Sequence, residues 1–190
     1  PKPGEFTLVD VPAMQYLMVD GKGDPNKVAE YQLALESLYS ISYILKFYSK
    51  NELNRDYVVP PLEGLWWSEN YADFHLRRKD NWLWTMMIMV PNWLGKQEFE
   101  AAIDVACSKK TDVSLEGLRL EDLDEGLSAQ IMHIGSYDDE TPTLLSLHND
   151  WLPANGLKER LKHHEIYLSD PRRVPAAKLK TILRQPVAKK

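Results

Sequence analysis

The feature that most constrains the fold is an order of elements that occurs twice along the chain. In each half, a strand-like segment is followed by a helical pattern and then by two further strand-like segments. Short stretches also match in the same order: "MQYLMVDGKGDP" (14–25) lies over "AQIMHIGSYDDE" (129–140), and "GLWWSE" (64–69) lies over "EIYLSD" (165–170). This self-similarity predicts two repeats, one over about 5–94 and one over about 126–188.

Two such units predict an α+β fold in a single domain over 1–190. Duplicated β-α-β-β units would pair their strands in one antiparallel sheet, with the helices on one face because each helix must bury its apolar side. The other face, at the pseudo-twofold seam between the repeats, would then be open to a ligand. We therefore expect a groove at that seam.

The first helix has a clear start signal. Asp24 supplies a capping carboxylate, and Pro25 suits the first helical position. Three helices and one connection are predicted in chain order: a helix from Asp24-Pro25 to about Ser49, a helix at about 95–109, an acidic connection to Gly126, and a helix from Thr141 to about Leu152.

The strand "HHEIYLSDP" (163–171) carries a glutamate at its centre. Side chains alternate between the faces of a strand, so Glu165 shares one face with His163 and Tyr167. The alternate set, with Ile166 and Leu168, is more apolar and is expected to face the helices. Glu165 is therefore predicted to face the open seam.

The same alternation sorts the matching strand of the first repeat. Trp66 and Ser68 are predicted on the open face, and Leu65 and Trp67 on the helix side. Trp66 and Tyr167 would then flank the glutamate.

Aromatic side chains with a polar atom favour a site for an amphipathic molecule. The chain has six Trp and nine Tyr but four Phe. Trp67 is predicted to be core, whereas Trp66, Tyr71, Trp93 and Tyr137 stand on the open face or at strand ends and are predicted to line the groove. The hydroxyl of Tyr137 can donate to a ligand oxygen.

Glu165 beside these rings has three interpretations. It can serve as the counter-charge for a cationic ligand or, with a raised pKa, as a general base. It can also be a structural group, paired with an arginine or a tyrosine hydroxyl.

Composition argues against several other classes of site. A net charge of −5 disfavours nucleic acid, and no signal pattern or apolar run predicts a membrane location. The single Cys107 fits the cytoplasm and is predicted to be a buried structural thiol. His163 and Glu165 supply two metal ligands at most, and "DGKGDP" is too short to cradle a phosphate, so no metal and no cofactor are predicted.

Several stretches together resemble the GyrI-like family of small-molecule-binding domains, which is related to the effector-binding domains of multidrug-responsive regulators. They are "YLMVDGKGDPN" (16–26), "GLWWSE", "HIGSYDD" (133–139), "WLPANGL" (151–157) and "HEIYLSDP" (164–171). The resemblance implies an eight-stranded sheet with a ligand groove at the seam and a glutamate in it. By motif position that glutamate is Glu165, and its aromatic partner is Tyr137. With no preceding DNA-binding helices, the chain resembles the stand-alone members.

The resemblance implies three functions. The first is cytoplasmic binding of flat, hydrophobic or cationic small molecules for sequestration or detoxification, with Trp66, Trp93, Tyr137, Glu165 and Tyr167 as ligand contacts. The second is hydrolysis of cyclopropane-bearing, DNA-alkylating natural products, in which Glu165 activates water and Tyr71 or Tyr137 hydrogen-bonds the oxygen that gains charge. The third is inhibition of a topoisomerase. The sequence does not determine the oligomeric state.

Overall fold

The computed structural model describes residues 1–70, 78–109 and 114–190, which form a mostly antiparallel sheet with helices packed on it. The strands are β1 (Thr7–Val11), β2 (Met14–Lys22), β3 (Leu62–Trp67), β4 (Leu83–Met89), β5 (Arg119–Leu123), β6 (Gly126–Ile134), β7 (Leu157–Glu159), β8 (His163–Tyr167) and β9 (Lys180–Lys189). The helices are α1 (Ala29–Glu52), α2 (Lys96–Ser108) and a composite helix α3, which joins Tyr137–Glu140, Thr141–Ser146, Leu147–Trp151 and Leu152–Ala154.

The helix limits differ from the sequence predictions in ways that have local causes. Asp24 caps a tight turn rather than the helix, because its carboxylate accepts the backbone N–H of Asn26 at 3.0 Å, and α1 starts only at Ala29. In α3, the wide π-helical turn Leu147–Trp151 precedes Pro153, which has no N–H to donate to the carbonyl four residues earlier.

The order of the strands in the sheet is symmetric about its centre. It runs β1-β6-β9-β8-β3-β4-β2-β5, so eight strands form one path, and β7 adds a ninth by pairing with β9. The segments β2-α1-β3-β4 and β6-α3-β8-β9 occupy matching positions on either side of the β3/β8 pair. The acidic connection contains β5, which we had not predicted as a strand, and β5 and β1 complete the two edges.

The sheet must curl strongly, because two short connections join strands that are far apart in it. β1 and β2 are six strand spacings apart, about 29 Å in a flat sheet. Only Pro12 and Ala13 link them, a span of at most about 11 Å. The two-residue link between β5 and β6 imposes the same constraint. The curled sheet therefore buries side chains on both of its faces.

This curling reverses the predicted assignment of the two faces. Trp66 was expected on the open face, but it belongs to the buried cluster that includes Leu38 and Ile41 of α1. Leu65 was expected under the helices, but it packs with Tyr16 and Met87 on the face away from them. The prediction was wrong because it assumed a single apolar face, whereas the helix-free face is buried by the curvature of the sheet itself.

The face that carries the helices has two separate apolar clusters. Around α1 and α2 lie core residues of β2, β3 and β4, including Leu17, Trp66 and Trp84. Around α3 lie Ala129 of β6 and Val187 of β9. The central strands β3 and β8 run between these clusters, which leaves the middle of the helix-bearing face for other contacts.

A buried ionic group occupies the helix-free face. His164 lies 2.9 Å from Glu63 Oε2 through Nε2 and 3.0 Å from Glu125 Oε1 through Nδ1, and it is fully buried. Arg184 donates to the second oxygen of Glu125 at 2.8 Å. We call Glu63, Glu125, His164 and Arg184 the ionic network; it ties β3, β8 and β9 to the β5–β6 connection.

Two further sequence predictions can be compared with the structure. Cys107 is exposed, because Ala102 and Ala106 form the buried side of α2 and the next residue turns away from it. Among the described residues, no helix combines the length and the apolar character needed to cross a bilayer; α1 is long, but it carries Glu30, Lys46 and Lys50.

Candidate functional site

The candidate site is centred on Glu165 in β8, directly opposite Gly64 in β3. The neighbouring pairs are Glu63 with Ile166 and Leu65 with His164. In the alignment of the repeats, Gly64 and Glu165 are equivalent positions. A twofold axis between them exchanges the pair Glu63–Ile166 with the pair Leu65–His164, and both pairs are present. The glutamate therefore lies at the centre of symmetry of the sheet.

Glu165 lies on the helix-bearing face rather than on the open face that we expected. It shares this face with Trp66, because Glu165 pairs with Gly64, and Gly64 and Trp66 are two residues apart on one strand. Its side chain is 12% exposed. The carboxylate is thus in the space between the clusters around α1 and α3.

Two hydrogen bonds fix the orientation of this carboxylate. Trp66 Nε1 donates to the Tyr167 hydroxyl at 2.9 Å, and that hydroxyl donates to Glu165 Oε2 at 2.8 Å. The other oxygen, Oε1, lies 3.5 Å from Nε2 of the buried His163. Burial and the charge of Glu165 raise the pKa of Tyr167 well above its usual range, so its hydroxyl keeps its proton.

Gly64 leaves the space that this arrangement needs. A Cβ at this position would lie 2.9 Å from Trp66 Nε1, 3.1 Å from Met86 Sδ and 3.2 Å from the Tyr167 hydroxyl. Any side chain would press on the pair that holds Glu165. The difference between the repeats, a glycine facing a glutamate, is therefore a steric requirement of the site.

Aromatic rings from four elements surround the carboxylate. The ring of Tyr31 in α1 lies 6.3 Å from that of Trp66, and the ring of Trp82 lies 5.7 Å from that of Trp66. Tyr137, at the start of α3, meets Tyr167 edge-on at 5.6 Å. We call Tyr31, Trp66, Trp82, Tyr137, Glu165 and Tyr167 the Glu165 cluster.

Two tyrosines of the Glu165 cluster are suited to donate a hydrogen bond. Burial, with the charges of Glu140 and Glu165, raises the pKa of Tyr137 to about 12. Burial and the charge of Glu165 also raise the pKa of Tyr31. Both hydroxyls are protonated at neutral pH and lie close enough to Glu165 for its charge to act on them.

The structure brings together some of the predicted site residues and separates others. Glu165, Trp66, Tyr167 and Tyr137 meet in the Glu165 cluster. Trp93 does not: its indole donates to Ser49 at 3.0 Å, beside the C-terminal end of α1. Ser49 is 18 residues from Tyr31 along α1, about 27 Å of helix rise. Tyr71 lies outside the described residues.

Sequence reasoning missed three residues at the site, which are Tyr31, Trp82 and Glu140. Tyr31 was counted as one member of the apolar stripe of α1, although a hydroxyl within such a stripe is itself a signal for a polar partner. Glu140 is 4% exposed and follows Tyr137 by three residues, a spacing that places two side chains on one side of a helix. That spacing could have identified it.

The described residues include no group of three His, Cys, Asp or Glu side chains placed to hold a metal ion. The cluster instead combines a desolvated carboxylate, protonated hydroxyls and ring faces. Such a set can stack a flat molecule, compensate a positive charge, or accept a proton from a bound water.

Comparison with known proteins agrees with this architecture. The sequence profile described as the GyrI-like small molecule binding domain matches residues 4–188. An uncharacterized conserved protein from Listeria innocua is 41% identical, with a TM-score of 0.91 over 98% of this chain and 94% of its own. A hydrolase from Listeria innocua is 40% identical, with a TM-score of 0.88 over 98% of this chain and 93% of its own.

A more distant structure shares the fold. The C-terminal domain of EcmrR is 12% identical, with a TM-score of 0.60 over 98% of both chains. A comparison with functionally curated proteins gives no match.

Proposed function

Because the chain belongs to the GyrI-like small molecule binding domain family, we propose that it binds flat, hydrophobic or cationic molecules at the Glu165 cluster. Binding of a small molecule follows from the family; the shape and charge of the ligand are inferred from the site. The biological role would be sequestration or detoxification of such molecules in the cytoplasm.

The observation that carries this proposal is the orientation of a poorly solvated carboxylate among rings. Glu165 is held by Tyr167, while Tyr31, Trp66, Trp82 and Tyr137 offer ring faces and edges around it. A cation beside such a carboxylate gains more than it would in water, because the local dielectric is lower. Ring faces add cation–π attraction and stacking.

A matched pair of probes tests the role of the charge. Pyronin is a planar tricyclic cation, and xanthone is a neutral tricycle of similar size. Replacing Glu165 by Gln keeps the shape and removes the charge, so we expect affinity for pyronin to fall at least 10-fold, about 1.4 kcal/mol. Affinity for xanthone should change less than 3-fold.

Tryptophan fluorescence quenching provides the readout. The control variant is Glu100→Gln, whose carboxylate lies on the exposed side of α2 with 63% of its side chain accessible. It should leave both affinities unchanged. If Glu165→Gln binds pyronin as tightly as the wild type does, Glu165 is not the counter-charge.

A second function, hydrolysis of a cyclopropane-bearing alkylating compound, is favoured by the name of a relative. A solved structure that is 40% identical over nearly the whole chain is called a hydrolase. In this reaction Glu165 accepts a proton from a bound water, whose oxygen forms a bond to a cyclopropane carbon. The carbon–carbon bond opens, and its electron pair moves to the conjugated carbonyl oxygen.

The oxygen that gains charge needs a donor across the ligand. Tyr137 is one candidate, because its raised pKa keeps the proton in place until the oxygen becomes basic enough to take it. Tyr31 is a second, since its hydroxyl also senses the charge of Glu165. Tyr71 was predicted for the same role and lies outside the described residues.

Mass spectrometry distinguishes turnover from binding. The wild-type protein, incubated with a cyclopropane-bearing alkylator in ¹⁸O-labelled water, should yield a ring-opened product that contains one labelled oxygen. Glu165→Gln should still bind the compound but form the product at least 100-fold more slowly. Tight binding without product in the wild type would exclude hydrolysis of that substrate and leave the binding proposal intact.

A further inference from the structure

An ion pair joins the two halves of the sheet at the outer edge of the Glu165 cluster. Lys79 Nζ lies 3.2 Å from Asp138 Oδ1, although the two residues are 59 positions apart in the chain. Lys79 belongs to a short turn, Lys79–Asn81, that leads through Trp82 into β4. Asp138 lies in the first turn of α3 and directly follows Tyr137. The pair therefore connects two segments that each carry a ring of the cluster.

Lys79 is in contact with the cluster itself. Its ammonium lies 5.8 Å from the centre of the Trp82 ring, within the range of a cation–π contact. The Trp82 ring in turn lies 5.7 Å from that of Trp66, whose indole donates to Tyr167. The position of Lys79 is thus linked through two ring contacts to the hydroxyl that orients Glu165.

A second route leads from the ion pair to the same hydroxyl. Tyr137, next to Asp138, meets the ring of Tyr167 at 5.6 Å. The two routes together form a closed circuit of six residues, in the order Tyr167, Tyr137, Asp138, Lys79, Trp82 and Trp66. The Glu165 carboxylate accepts a hydrogen bond from one member of this circuit, Tyr167.

Exposure to solvent increases from the carboxylate toward the ion pair. The exposed fraction of the side chain is 12% for Glu165, 22% for Lys79 and 74% for Asp138. The pair is therefore the outermost link of the circuit, between the carboxylate and solvent.

The ion pair is also the weakest link of the circuit. Exposed ion pairs contribute little, because water and salt compete for both charges. Trp66, by contrast, is buried, and separating its ring from Trp82 would expose apolar surface to water. Lys79 and Asp138 can therefore separate while the contacts between the rings stay in place.

We propose that the Lys79–Asp138 pair is a clasp, which closes the entrance to the Glu165 cluster and opens whenever a ligand enters or leaves. The inference rests on the proposed binding function and adds the step that controls access to the site. The clasp is closed both in the free protein and around a bound ligand. It therefore lowers the association and dissociation rate constants together and has little effect on affinity.

Stopped-flow fluorescence with the neutral probe xanthone tests the clasp. Lys79→Met keeps the apolar stem over Trp82 and removes the charge, and Asp138→Asn removes the opposite charge. Because exposed pairs are weak, each variant should increase both rate constants about 3–5-fold and leave the dissociation constant within about 2-fold. The double variant should be no faster than either single variant, since both substitutions break the same pair.

A neutral probe separates a clasp from long-range electrostatics. Lys79→Met and Asp138→Asn change the net charge in opposite directions. If the two side chains acted only through their electric field, the association rate of the cation pyronin would change in opposite directions in the two variants. The rates for xanthone would then stay at the wild-type values.

The control variant is Asp80→Asn, which breaks a similar pair on the same short turn. Asp80 lies 3.0 Å from Lys27, so this pair joins the turn to the segment before α1, within one half of the sheet. Both rate constants for xanthone should stay within about 2-fold of the wild type.

Three results would overturn the clasp: unchanged xanthone rates in both variants, changes of opposite sign, or equal acceleration by Asp80→Asn. In each case, loss of pyronin affinity in Glu165→Gln would still support the proposed function.

Hydrogen exchange covers the case in which neither probe binds. The indole N–H of Trp66 donates to Tyr167 inside the circuit, so its exchange with solvent, followed by NMR, reports how often the entrance is open. Its exchange rate should rise about 3–5-fold in Lys79→Met and in Asp138→Asn but not in Asp80→Asn. That result would support the clasp even though the proposed function had failed, and unchanged exchange in both variants would contradict it.

Discussion

Replacing His164 with Leu should destabilise the protein strongly through the ionic network. His164 is fully buried between Glu63 and Glu125, at 2.9 and 3.0 Å. The variant would leave two buried carboxylates with Arg184 as their remaining cation in the network. Breaking a buried pair in this way costs about 3–5 kcal/mol, a large part of the 5–15 kcal/mol typical of a whole domain.

Urea unfolding at neutral pH provides the measurement. With a slope of roughly 2–3 kcal/mol per molar urea, the unfolding midpoint should fall by about 1–2 M. The control is Arg172→Leu, because the carboxylate partner of Arg172, Asp170, is 3.0 Å away but the arginine side chain is 84% exposed. An exposed pair contributes at most about 1 kcal/mol.

The pH dependence of this difference gives a second, independent test. Burial alone would lower the pKa of His164, but Glu125 and Glu63 together raise it above 6.5. Its contribution is therefore complete below pH 6.5 and is lost as the pH rises through the folded-state pKa. Burial likewise opposes the ionisation of Glu125, but His164 and Arg184 hold its pKa below 4.5. The contribution of Glu125 to the free energy of unfolding is therefore complete above pH 4.5 and is lost as the pH falls through its folded-state pKa.

The stability difference between the wild type and His164→Leu should therefore be largest between about pH 4.5 and 6.5 and smaller at pH 9. A difference below 1 kcal/mol, or one that stays constant from pH 6 to pH 9, would refute the assignment of a charged His164.

Three other predictions concern the site. Gly64→Ala should lower the free energy of unfolding in urea by about 1–3 kcal/mol and weaken pyronin binding, because its Cβ presses on Trp66 and Tyr167. The control Gly95→Ala should leave both nearly unchanged, since the nearest neighbour of its Cβ would be 3.7 Å away. In calorimetry, Tyr167→Phe should weaken pyronin binding less than Glu165→Gln does, since it removes a hydrogen bond to the carboxylate but keeps the carboxylate itself. An equal loss of affinity would contradict the view that Tyr167 only orients Glu165. The tyrosinate absorbance of Tyr137→Phe should follow that of the wild type up to pH 10, because burial and nearby charges raise the pKa of Tyr137 to about 12.

Strand β8 connects the two buried polar groups of the protein. Glu165 projects to the helix-bearing face, and the adjacent His164 projects to the opposite face and joins the ionic network. Because alternate side chains of one strand serve both groups, the network limits how far β8 can shift under Glu165. The ionic network on the opposite face of the sheet thus helps to hold Glu165 in position.

Local sequence patterns were sufficient to predict the three helices and the central strands of one antiparallel sheet, but not β5 or β7. Alternating and helical periodicities identified the strands around Trp66 and Glu165 and the segments of α1, α2 and α3, since these patterns depend on neighbours in the chain. The alignment that set Gly64 over Glu165 also agrees with the register across the centre of the sheet. The exact limits of the two repeats stay a prediction.

Only the tertiary structure determined which face of the sheet lies under the helices and which aromatic rings are neighbours. Two-residue links require the sheet to curl, so both of its faces are buried and hydrophobicity no longer distinguishes them. Glu165 and Trp66 therefore lie beneath the helices, and Trp93 is held at the far end of α1 by Ser49. The sequence determined that a glutamate interrupts an aromatic strand pair; the curvature of the sheet, a property of contacts distant in sequence, determined what surrounds it.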